Sequence, residues 1–204
     1  MSEPRNPPHA ATAPLPARQR LAQPNGWWGM LLFLCAESTL FGGLIATYFY
    51  LDFSAPRWPP AGIASPATLA PLVLTGALVA TSVPIGLAAR EATAGVTRTA
   101  TWLIAFAMAV QCGYVAYQLH LFVHELHQFP PQRSAYASIY FTLLGLHHAH
   151  VVLGILLDAG VLLALLTAGL TNYRLTGVRA LALYWYVVNA IAVLVVLTQL
   201  WPSL

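Results

Sequence analysis

The chain has 204 residues, of which 58% are hydrophobic and only 7% charged. Its mean hydropathy is +0.68. Soluble domains carry about 25% charged residues, so the composition excludes a soluble enzyme or binding domain and predicts an integral membrane bundle, all α. The basic balance rests on nine arginines and six acids, too few and too scattered for a nucleic-acid surface.

Residues 1–25 are rich in Pro and Ala, carry Arg5, Arg18 and Arg20 and lack a periodic apolar face; they are expected to be a disordered tail. Residues 26–204 form the membrane domain, with spans at about 27–51, 67–89, 100–122, 136–167 and 178–201. The first span is framed by Trp27, Trp28, Tyr48 and Tyr50, rings that favour the headgroup boundary, and it places Glu37 deep in an apolar run. An ionised carboxylate at that depth is costly without a partner inside the bundle. Trp58, Pro59, Pro60 and Gly62 then read as a stiff loop, because adjacent prolines fix φ and exclude helix. That loop is expected to be a structural cap.

The second span contains Pro71 and Pro84, which membrane helices tolerate when hydroxyls or neighbours satisfy the freed carbonyls; kinks near both ends are expected. On the third, Gln111, Tyr114 and Gln118 share one face. Residues 120–133 read as a polar loop, with His120, His124 and His127 as a weak metal alternative, since three imidazoles at helical spacing can hold zinc or copper if the helix continues. The fourth span carries Tyr140, His147, His150, Gly154 and Asp158 within roughly 80° of arc at about 100° per residue, a narrow polar stripe turned from lipid. His148 points about 100° away from it. Residues 172–179 read as a turn before the last span.

Supply and depth favour a pairing of Glu37 with the fourth span, His150 before His147, with Asp158 as rival. Such a polar set, Glu37, Tyr140, His147, His150 and Asp158, reads either as a proton-linked network or as interhelical hydrogen-bonding glue. Cys35 and Cys112 fall in apolar runs, where a small buried hydrophobe is the ordinary reading. Catalytic residues, metal ligands and a cofactor site are expected to be absent from this chain. Basic residues favour the cytoplasmic side. Arg90, Arg98, Arg174 and Arg179 therefore place the N-terminus inside and the C-terminus outside.

These residues resemble subunit III of the haem-copper cytochrome c oxidases, in its five-helix bacterial form. WWGMLLFLCAESTLF is similar to the family's segment with an intramembrane Glu, and Trp58-Pro59-Pro60-Ala61-Gly62-Ile63 to its WPPxGI loop. Ala70-Pro71-Leu72 with Thr75 resembles VPLLNT, Gly145 to Val151 resembles GFHGLHV, and Tyr184 to Asn189 resembles YWHFVD. Tyr186 and Asn189 stand where the family has His and Asp, Ala89 and Arg90 replace a histidine pair, and His120 replaces an acid.

The resemblance implies a non-catalytic subunit of a proton-translocating oxidoreductase of aerobic respiration, in the bacterial inner membrane. It implies direct packing on subunit I, with subunit II in the same complex, and support of proton uptake and stability there. Haem and copper are expected in partner subunits, membrane lipid as a further partner, and phospholipid as the one ligand the resemblance admits here. The family's lipid cleft needs two further helices, which this chain lacks. Alternatives are subunit III of a quinol oxidase, a nitric-oxide-reductase-associated homologue, and, from other classes, a small transporter or a membrane cytochrome.

Overall fold

A computed structural model describes residues 25–63, 68–168 and 171–203; of the tail expected over 1–25, residues 1–24 lie outside them, and Asn25 already begins the first helix. The helices are α1 (Asn25–Ser54), α2 (Leu69–Ala80), α3 (Ser82–Thr93), α4 (Thr97–Gln128), α5 (Ala135–Ala168) and α6 (Asn172–Leu200). Short 3₁₀ turns occupy Pro131–Arg133 and Trp201–Ser203. With α2 and α3 acting as one broken span, five segments are long and apolar enough to cross a membrane. No strand occurs among the described residues. We call the end at which α1 starts and α5 finishes the near end, and the opposite one the far end.

Hydroxyl groups in the apolar helices bond their own backbone. In α1, Ser38 donates to the Leu34 carbonyl (2.7 Å) and Thr47 to that of Gly43 (2.8 Å), which leaves no polar group facing hydrocarbon unpaired at those sites. The second span departs from expectation, breaking at Thr81 in its middle rather than bending at both ends. Pro84 has no N–H to offer the Ala80 carbonyl four residues earlier. The chain tightens there: the Thr81 amide donates to the Leu78 carbonyl at 3.0 Å, and the Thr81 hydroxyl to the same oxygen at 2.6 Å.

The turn into α4 needs a glycine. Gly95 has φ +84°, its amide donates to Ala92 and that of Val96 to Glu91, the paired bonds of a left-handed helix stop. Helix α4 then runs through Gln128, so the expected loop from His120 is helical until Pro130 and Pro131 end it. Likewise α6 starts at Asn172, where residues 172–179 read as a turn, because the Thr171 side chain accepts the Arg174 amide and caps it.

Helix α6 is the central one, packing on α1, α2, α3 and α5, and its span has the largest buried share. Around it α1 meets α5, α5 meets α4 and α4 meets α3. One apolar cluster gathers Leu78, Ile104, Val151, Trp185 and Val188. A second, toward the far end, gathers Phe41, Tyr48, Tyr136 and Tyr140. Trp58 joins it, with its ring 5.3 Å from Tyr48 and 5.0 Å from Tyr136.

Candidate functional site

Glu37 and His150 meet between α1 and α5, with Glu37 Oε2 2.9 Å from His150 Nε2. Glu37 lies about 18 Å along α1 from Asn25 at about 1.5 Å per residue, well inside the span. The other ring nitrogen, His150 Nδ1, is 2.8 Å from the Leu146 carbonyl, an oxygen that can only accept. Nδ1 therefore carries a hydrogen, and a single proton is left between Nε2 and Glu37, giving either a neutral acid and imidazole or a carboxylate and imidazolium. The pair is neutral as a whole in both forms. Phe41, one turn from Glu37, stacks edge-on against the imidazole at 5.3 Å. Tyr184 donates to the His150 carbonyl at 2.6 Å, tying α6 to the same turn of α5. The side chains of His150 and Glu37 stay 11% and 21% exposed, so this chain alone does not cover the pair.

The stripe on α5 faces inward, but its members take separate partners. Asp158 is fully buried and accepts from Trp185 Nε1 at 3.2 and 3.1 Å. Oriented with its amide nitrogen toward the acceptor, as a facing carboxylate demands, Gln111 also donates to Asp158 Oδ2 at 2.7 Å. One turn before Asp158, Gly154 makes room for these rings: a Cβ there would stand 2.5 Å from the Trp185 ring and 2.9 Å from that of Tyr184. Tyr140 donates to Glu125 Oε2 of α4 at 3.0 Å. His147 is buried with neither ring nitrogen hydrogen-bonded among the described residues. Its ring lies 6.4 Å from Tyr114, while His148 sits 5.7 Å from Phe122 in the same α4–α5 contact.

Glu37 with His150, Asp158 with α6 and α4, and Tyr140 with α4 are thus three distinct ties. Trp185, Gln111 and Glu125 were not among the expected site residues. Gln111 had a signal in the face it shares with Tyr114 and Gln118, whereas Trp185 read as part of an aromatic cluster. His120 and His124 are exposed on α4, and His124 pairs with Gln128 at 2.9 Å. Among the described residues, no three His, Cys, Asp or Glu side chains form a group that could hold a metal ion. In the far-end loop, Gly62 has φ +84°, and a Cβ on it would meet the Arg133 guanidinium at 3.1 Å.

Residues 19–203 match the family model described as cytochrome c oxidase subunit III. The chain belongs to this family. It is similar to the quinol oxidase subunit 3 of Bacillus subtilis (strain 168), 30% identical over 171 residues, 81% of this chain and 80% of that one. To the cytochrome c oxidase subunit 3 of Thermostichus vulcanus it is 30% identical over 167 residues, 80% of each chain. A cytochrome bo(3) ubiquinol oxidase subunit 3 of Pseudomonas aeruginosa is 28% identical over 168 residues, 82% of this chain and 80% of that one. Relatives with either electron donor in their names match equally well, so the family assignment is to haem-copper oxidase subunit III. In this subunit III the Glu37–His150 contact joins two of the segments that carry the resemblance, WWGMLLFLCAESTLF and GLHHAHV.

Proposed function

We propose that this subunit III is the non-catalytic partner of a cytochrome c oxidase, packed on subunit I with its near end cytoplasmic, where it supports proton uptake and the durability of turnover. The observation that carries this reading is the Glu37–His150 pair, whose side chains this chain leaves 21% and 11% exposed respectively. A pair holding one shared proton deep in a span is costly where its edge meets lipid, and a partner chain laid over the α1–α5 seam removes that cost. The arginines favour this orientation, with Arg90, Arg98, Arg174 and Arg179 near and only Arg57 and Arg133 far. Trp58-Pro59-Pro60-Ala61-Gly62-Ile63 supports the cytochrome c branch. Haem and copper belong to the partner subunits in this reading.

The test is to express the whole oxidase with Glu37→Gln or Glu37→Ala, and to measure subunit III retained per catalytic subunit. A Gln amide can donate to His150 Nε2 and keep the contact, so Glu37→Gln is expected to assemble almost normally and show at most a modest loss of sustained turnover at high pH. Glu37→Ala leaves His150 Nε2 unpartnered and is expected to lower retention several-fold. Full retention in Glu37→Ala would sink the reading. Assaying the purified complex with reduced cytochrome c and with a quinol decides the donor.

A further inference from the structure

At the near end, α4 and α5 diverge around a groove of about 490 Å³, lined by Thr97, Arg98, Thr101, Trp102, Ala105 and the leucines 162, 165 and 166. Its polarity is graded with depth. Arg98 and Thr97 stand at the mouth; Trp102, 68% exposed, lies about 6 Å further in at a rise of about 1.5 Å per residue, the level at which indole favours the headgroup boundary. Further in, the lining residues are Ala105 on α4 and Leu162 on α5. Ala105 is the small residue whose missing bulk keeps the apolar part open. Thr101 donates its own hydrogen to the Thr97 carbonyl, which leaves its hydroxyl oxygen free to accept.

The charge around this mouth is one-sided. Arg90, Arg98, Arg174 and Arg179 belong to the near ends of the described helices, against the single acid Glu91. Arg98 makes no ion pair among the described residues. A cation above a hydroxyl, an indole and then a purely apolar slot follows the order of groups in one lipid molecule: phosphate, glycerol backbone, acyl chain. Basic pockets between membrane helices on one face of the bilayer bind anionic head groups in this manner.

We propose that the α4–α5 groove is a seat for one anionic phospholipid, its phosphate on Arg98 and an acyl chain between Ala105 and Leu162. The seat is independent of the Glu37–His150 pair, which lies on the α1 side of α5. Two substitutions separate its halves: Arg98→Gln removes the charge, and Ala105→Phe fills the slot while leaving the charge. The purified whole oxidase is delipidated, offered vesicles of dioleoyl-phosphatidylglycerol or dioleoyl-phosphatidylcholine, and its retained lipid counted by mass spectrometry. Vesicles with brominated acyl chains add a second readout, quenching of the Trp102 fluorescence defined by difference from Trp102→Phe. The parent complex should retain about one more phosphatidylglycerol than Ala105→Phe, with at least five-fold preference over phosphatidylcholine. Arg98→Gln should lose that preference and Ala105→Phe the Trp102 quenching. Equal retention of both lipids by the parent, or unchanged retention and quenching in both variants, would overturn the proposal.

Discussion

At the scale of single residues, the bundle depends on polar groups that each find one partner on another helix. Asp158 shows the cost of removing one: Asp158→Leu would strand the Trp185 N–H and the Gln111 amide in the interior, each at about 1–3 kcal/mol, whereas Asp158→Asn keeps an acceptor for Trp185. Thermal unfolding of the detergent-purified oxidase, followed at this subunit, should show a clear loss of stability for Leu and a small one for Asn. Gly154 is the steric counterpart. Gly154→Val would drive side-chain atoms into Trp185 and Tyr184, and overpacking of this kind costs about 1–3 kcal/mol or more; the same measurement should rank it with Asp158→Leu. A Gly154→Val protein as stable as the parent would mean that the Trp185 contact is not tight in solution. These residues also mark what could be seen beforehand. Depth and the supply of imidazoles single out His150 for Glu37, and the two stand 2.9 Å apart. Asp158 was harder to place because its donor is an indole, which reads as an aromatic boundary residue until its N–H is counted.

At the scale of elements, the spans were legible because an apolar run of about 20 residues has few other uses. Their ends were less so. His120, His124, Glu125 and His127 read as a solvated loop, yet α4 continues through them, since Glu125 takes the Tyr140 hydroxyl from α5 and the exposed histidines line the outer side of the helix. The break at Thr81 shows the same limit: Pro84 announces a lost hydrogen bond, but the Ser82 hydroxyl that accepts from Asn189 of α6 at 2.7 Å is a tertiary partner no local pattern reveals. The far-end loop rests on one residue above others, Trp58, held between Tyr48 and Tyr136. Removing a large packed ring costs about 3–5 kcal/mol in a well-filled core, so Trp58→Ala should reduce the yield of assembled oxidase more than it changes the KM for the electron donor. The opposite pattern would assign the loop to donor docking.

At the scale of the whole molecule, the chain has a centre but no complete outside. Helix α6 is surrounded, while α1 turns most of its length outward, with 11% of its span buried, and the Glu37–His150 pair opens on that same side. Lipid can cover apolar side chains as well as protein can, so the exposed leucines and valines alone do not require a partner. The pair does, because hydrocarbon supplies no hydrogen bond to the remaining lone pairs of Glu37. Subunit III expressed without its partners should therefore be short-lived in the membrane and heterogeneous in detergent, and co-expression with the catalytic subunits should restore a single species. Pulse-chase turnover and size exclusion of the tagged chain, with and without those subunits, measure this directly. Glu37→Gln distinguishes the cause: its amide keeps the contact with His150 but still leaves a polar edge toward lipid, so the lone variant should be as unstable as the parent. A monodisperse, protease-resistant subunit III on its own would show that the α1–α5 seam is closed without a neighbour.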